Sequence, residues 1–133
     1  MANNISTKSR VLVVDDEPLI CDAVRLVLVN DGYEVEVAAN GHEALARLDA
    51  VEFDLFILDY EMPGMKGDQL AAIIKKRLPR SPIILLSAYG EVLRTAGRPL
   101  TGIDAQVDKP FSLEMLRRGM TKALAFCEEP QTA

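Results

Sequence analysis

The stretch V-L-V-V-D-D-E-P, Val11 to Pro18, decides how the remainder of the chain is read. Val11 to Val14 is a continuous apolar run, the mark of a strand buried on both faces. It ends on the adjacent carboxylates Asp15 and Asp16, followed by Glu17 and by Pro18, which suits the first turn of a helix. A buried strand that gives way at once to a helix opens an α/β unit. The negative charge at its end repels itself, and its reason lies elsewhere in the chain.

Working outward, the same alternation repeats. Ile20, Ala23, Val24, Val27 and Leu28 recur at helical spacing, and Asn30-Asp31-Gly32 closes that helix. Val35 and Val37 alternate with Glu34 and Glu36, the pattern of a strand nearer the sheet edge. Asn40 is placed to cap a second helix, with Glu43 as the reciprocal half of a capping box. Leu55 to Leu58 is again wholly apolar, and the stripe Leu70, Ile73, Ile74, Leu78 is stopped by Pro79. Ile83 to Leu86 makes a fourth strand. A helix starting near Tyr89 should be cut short by Gly97 and Pro99, and Ala105 to Val107 is a weak fifth strand. Ser112 caps a final helix with Leu113, Leu116, Met120 and Leu124 on its apolar face, Phe111 being placed to pack on Leu116. Five strand–helix units imply a doubly wound parallel sheet with helices on both faces and right-handed crossovers.

Composition bounds the function. The 133 residues suit one domain, and a formal net charge of −5 argues against a binder of the nucleic-acid backbone. The basic run Lys75, Lys76, Arg77 falls at a helix C-terminus, where it complements the helix dipole. Cys21 and Cys127 lack metal-binding spacing and read as reduced core thiols. Neither a signal peptide nor a bilayer-spanning run is visible, so a cytoplasmic location is expected. His42, in the first turn of the second helix, is assigned no role.

In parallel sheets, sites form at the carboxyl ends of the strands. With the order 2-1-3-4-5, those ends bring together Asp15 and Asp16 from the first strand, Asp59 from the third, Ser87 from the fourth and Lys109 from the fifth. Taken singly, each aspartate reads as a turn residue or helix cap. Together, at about 4 Å and an effective dielectric of about 20, each carboxylate pair would cost about 4 kcal/mol, so a cation is required. Oxygen ligands without His or Cys favour Mg²⁺ or a similar ion such as Mn²⁺. A divalent cation, an ammonium and a hydroxyl around one carboxylate suit a phosphoryl group in transit, with Asp59 as nucleophile.

These residues stand in the motifs V-L-V-V-D-D-E-P, F-D-L-F-I-L-D-Y-E-M-P-G-M-K-G, I-I-L-L-S-A and D-K-P-F. By them the chain resembles the response-regulator receiver domains of two-component signalling, from about Ser9 to Phe126. The resemblance implies a flavodoxin-like fold and a receiver unit over residues 9–127, with 1–8 and 128–133 as flexible tails or a linker stub. It implies Asp59 as phosphoacceptor, and Mg²⁺ held by Asp16, by Asp59, by the backbone carbonyl of Glu61 and, through water, by Asp15. Ser87 is the implied switch hydroxyl and Lys109 the partner of the phosphoryl group, with a cis Lys109–Pro110 bond and Gly67 opening the third helix. The donor is implied to be a histidine kinase or histidine phosphotransfer protein, and the output an unidentified downstream protein.

The chain departs from the family pattern in three places. Gln106 stands where an aromatic rotor is usual. Gly97, Arg98 and Pro99 fall where the fourth helix normally runs, which disfavours dimerisation through that face and leaves a monomer as the expectation. Glu61 and Tyr89 occupy variable positions beside the phosphorylation site. Two alternatives follow. One is a phosphatase of the haloacid-dehalogenase kind, although Asp59-Tyr60-Glu61 lacks its Asp-x-Asp. The other is a receiver-like module that signals by contact alone.

Overall fold

Strands that are apolar on both faces have to be covered on both sides, and the fold follows from that requirement. The structure, a computed structural model, describes residues 9–90, 92 and 102–128, with side chains described through residue 125. Its elements are β1 (Arg10–Val14), α1 (Pro18–Asn30), β2 (Glu34–Ala38), α2 (Gly41–Ala50), β3 (Leu55–Asp59), α3 (Gly67–Arg77), β4 (Ile83–Ser87), β5 (Ala105–Asp108) and α4 (Leu113–Glu128). The strands form one five-stranded sheet in the order β2-β1-β3-β4-β5, every pair parallel. This is the expected order.

Alternate residues of each strand serve opposite cores. Val11, Val13, Leu55, Ile57, Ile84, Leu86 and Val107 face α1 and α4, against Val24, Leu28, Leu116 and Met120. Leu12, Val14, Phe56, Leu58, Ile83 and Leu85 face α2 and α3, against Ala44, Leu70 and Ile74. A fully buried side chain of this kind stabilises the fold by about 2 kcal/mol. After Arg10, which opens β1 half-buried, the central strands therefore carry no polar residue until their carboxyl ends. β2 is half-buried, as its alternating glutamates require.

The helix ends carry most of the local signals. Gly32, at φ 98°, lets the Tyr33 N–H bond back to the Leu28 carbonyl at 3.0 Å and terminates α1. Asn40 caps α2 by accepting from the Glu43 N–H at 2.9 Å. The reciprocal arm of that box reaches one residue further than expected: the Glu43 carboxylate accepts from the N–H of Ala39 at 2.7 Å. Ser112 caps α4 through the Met115 N–H at 3.1 Å, and Phe111 packs against the core that holds Leu116. The basic run that ends α3 does more than complement a dipole. Lys75 pairs with Asp104 at 3.0 Å, and the same Asp104 oxygen accepts from the Ile83 N–H at 2.8 Å, tying α3 to the start of β4.

Cys21 is buried and unpaired by disulfide, while the side chain of Cys127 lies outside the described residues. So does the segment with Gly97, Arg98 and Pro99, on which the shortened fourth helix was expected. No helix among the described residues is long and apolar enough to cross a membrane.

Candidate functional site

The backbone ladder runs past the last residue of each strand and so aims the polar ends. Asp15 N–H bonds to the Ala38 carbonyl at 3.1 Å, Tyr60 N–H to Leu86 at 2.8 Å, and Lys109 N–H to Ser87 at 2.8 Å. Asp15 and Lys109 thus stand one residue beyond β1 and β5, whereas Asp59 and Ser87 are the last residues of β3 and β4. All four are held by sheet geometry rather than by loop conformation.

Asp15, Asp59 and Ser87 are the buried polar side chains among the described residues, each at most 1% exposed. Lys109 Nζ lies 3.0 Å from Asp15 Oδ2 and 3.0 Å from Asp59 Oδ1, with Glu17 Oε1 at 3.4 Å. The described hydrogen bonds to the Asp59 carboxylate fall on Oδ1. Asp15 Oδ1 accepts from the Glu17 N–H at 2.9 Å. Neither aspartate caps α1, whose first turn follows Glu17 without a side-chain cap.

Two buried carboxylates share one ammonium, so negative charge is in excess. Burial pushes the Asp59 carboxyl up to about 7, against the pull of the Lys109 hydrogen bond and with help from the Asp15 charge. Burial raises Asp15 as well, with its bonds to the Glu17 backbone and to Lys109 opposing. For Lys109, burial would lower the ammonium, but its bonds to Asp15 and Asp59 outweigh that and hold it above the usual lysine range.

The exposed Asp16 completes the acidic set: Asp15, Asp16 and Asp59 each present an oxygen within 4.8 Å of the other two. Oxygen donors alone, carrying uncompensated charge and partly open to solvent through Asp16, suit a hard divalent cation that keeps some of its waters. Burial and charge excess make the same case independently of the donor chemistry.

Glu61 departs from expectation. Sequence reading gave it a role through its backbone carbonyl and a place as an acid beside the phosphorylation site, but not the contact its carboxylate makes: it accepts a hydrogen bond from the Ser87 hydroxyl at 2.7 Å and faces the Ala88 N–H at 3.4 Å. Glu17 also entered the site unforeseen, through Lys109. The only available signal was their closeness in sequence to Asp16 and Asp59. Gln106 reaches from β5 to the Gly90 carbonyl at 3.2 Å, so a hydrogen bond replaces the aromatic rotor. Tyr89 is exposed, and its N–H donates to Ser87 Oγ at 2.9 Å. Gly67 opens α3 where an added Cβ would fall against the Asp59 carbonyl oxygen. The Lys109–Pro110 peptide is cis. His42 is exposed.

A family model described as the response regulator receiver domain matches residues 11–121. The chain belongs to that family. This receiver is 35% identical over 124 residues to the transcriptional regulatory protein TrcR of Mycobacterium tuberculosis, covering 91% of this chain and 48% of TrcR. It is 36% identical over 107 residues to ResD of Bacillus subtilis, covering 80% of this chain and 44% of ResD. The receiver thus spans about half the length of these curated relatives. Among solved structures it is similar to the response regulator TrrA of Thermotoga maritima in complex with Mg²⁺-BeF, with TM-score 0.77 and 38% identity over 86% of this chain and 98% of TrrA. It is also similar to a CheY-like receiver domain protein of Methanospirillum hungatei, with TM-score 0.83 and 30% identity over 92% and 98% of the two chains. Family membership in two-component signalling displaces the phosphatase alternative.

Proposed function

We propose that this receiver is a phosphorylation switch that takes a phosphoryl group onto Asp59. The observation that carries this reading is a buried carboxylate at the end of the central strand, 3.0 Å from Lys109 and clustered with Asp15 and Asp16. The donor is a histidine kinase or a histidine phosphotransfer protein. An Asp59 carboxylate oxygen forms the new O–P bond as the donor's N–P bond breaks, and the electron pair leaves with the imidazole. Lys109, already charged, sits where negative charge gathers on the moving group. Ser87 supplies a hydroxyl proton to a phosphoryl oxygen once the group has arrived.

Asp16, Asp59 and the Glu61 carbonyl would hold Mg²⁺, with Asp15 acting through water; Mn²⁺ has the same donor preference. When bound, the ion offsets the charge of the phosphoryl oxygens. We place the receiver unit at residues 9–127, with α4 running one residue further, to Glu128. It acts in the cytoplasm, as a monomer, on a downstream protein whose identity lies with its cognate pathway.

Incubation with acetyl phosphate and Mg²⁺ should label the chain, as read by intact mass, and chelation should prevent labelling. Asp59→Asn should abolish it. Label that persists in that variant would refute the assignment. A wild type that takes no label while still binding a partner would favour signalling by contact alone.

A further inference from the structure

Glu61 makes a contact that the phosphoacceptor reading does not use. Ser87 is fully buried and has one hydroxyl proton, which goes to Glu61 Oε2 at 2.7 Å. That length is typical of a charge-assisted bond. Ser87 Oγ meanwhile accepts from the Tyr89 N–H at 2.9 Å, which fixes the rotor. The second Glu61 oxygen faces the Ala88 N–H at 3.4 Å. An anion therefore already occupies the donors at the end of β4. The two residues are 26 apart in sequence, and β3 and β4 are neighbours in register, so sheet pairing sets this contact.

We propose that the Glu61 carboxylate is an internal competitor of the phosphoryl group, a positioning residue that holds the Ser87 hydroxyl and the Ala88 amide until Asp59 is modified. This rests on the reading of Asp59 as phosphoacceptor. Ser87 can give its proton to one acceptor at a time. A phosphoryl group carrying about −1.5 to −2 charge can take that proton only if Glu61 lets go, and like charge drives Glu61 away as the group arrives. Glu61 is half-buried, unlike Asp15, so its carboxylate can turn to water. The chain thereby favours its unphosphorylated arrangement, and loss of the Glu61 carboxylate shifts it toward the arrangement that receives the phosphoryl group.

Charge repulsion alone and competition for donors make different predictions. Gln keeps the shape of Glu and an oxygen that still accepts the Ser87 proton, but removes the charge. Ala removes both. Beryllofluoride, with Mg²⁺ present, serves as phosphoryl analogue, titrated against wild type, Glu61→Gln and Glu61→Ala while the Ala88 and Tyr89 amides are followed by NMR. Glu61→Ala should bind about tenfold more tightly than wild type, as expected for release of one hydrogen bond to a charged group, and Glu61→Gln less so. In a Ser87→Ala background the gap between Gln and Ala should close. In the metal-free protein, Glu61→Ala should shift the Ala88 amide resonance. Equal tightening by Gln and Ala, no tightening in either, or an unmoved Ala88 amide overturns the proposal while wild type still binds the analogue. A wild type that binds no beryllofluoride overturns the phosphoacceptor reading, and this proposal with it.

Discussion

Replacing Asp59 by Asn should stabilise the metal-free protein, by an amount that depends on pH. Asp59 is 1% exposed, and burial raises its carboxyl from 3.8 to about 7, against the Lys109 hydrogen bond and with help from Asp15. The unfolded chain releases that proton near 3.8, so between the two values the folded state binds more proton and stability falls as pH rises. Above about pH 7 the penalty is complete: about three pH units at about 1.4 kcal/mol each, or roughly 4 kcal/mol. At about pH 5 it is only partly incurred, under about 2 kcal/mol. Asn has the shape of the protonated acid and no charge to lose. The variant should therefore gain about 4 kcal/mol over wild type near pH 8 and less than half of that near pH 5. Urea unfolding followed by circular dichroism, in EDTA at both pH values, measures the difference. Adding Mg²⁺ should narrow the gap by stabilising wild type alone. An Asn variant no more stable than wild type near pH 8, or a gain independent of pH, would refute the argument that charge is in excess at this site.

Other perturbations probe separate parts of the molecule. Asp16→Asn, at an exposed position of the acidic cluster, should weaken Mg²⁺ binding by at least about tenfold in titration calorimetry. The metal-free protein should be no less stable than wild type, and unchanged affinity would remove Asp16 from the ligand set. Gly67→Ala puts a methyl against the Asp59 carbonyl oxygen and 2.9 Å from Tyr60 Cα, both backbone, and should cost about 1–3 kcal/mol in urea unfolding. A neutral result would mean that α3 can slide. Burial, followed by the Asp15 charge, pushes the Cys21 thiol up to about 11. In a Cys127→Ser background a thiol reagent near pH 8 should meet about one thiolate in a thousand and react quickly only after denaturation. Fast labelling of the native chain would contradict this.

The strands that were easiest to read are those with the simplest environment. β1, β3 and β4 are apolar on both faces, and the polar residues that close them, Asp15 just beyond β1 and Asp59 and Ser87 as the last residues of β3 and β4, needed no tertiary information. β5 was harder, because as an edge strand it buries only Ala105 and Val107, and it runs one residue past its expected end to Asp108. Caps were legible at Asn40 and Ser112, where donor and acceptor are three residues apart. The return bond of Glu43 to Ala39 was misplaced by one residue, since a flexible carboxylate can reach either amide. The ion pair of Lys75 with Asp104 was not legible, because its partners meet only once α3 packs across β4 and β5.

By itself the sequence determined the order of elements, the two-sided core and the acidic set, because hydrophobic period and strand-end chemistry are local properties. Tertiary structure decided which oxygen meets which donor. Lys109 lies 94 residues from Asp15 and 50 from Asp59, yet stands 3.0 Å from each. Glu61 was legible as an acid beside the site, but its hold on Ser87 depends on the register of β3 against β4 and on one side-chain rotamer. Residue types in order select a fold. Hydrogen bonds are decided at tenths of an ångström, after packing has placed the backbones that carry them.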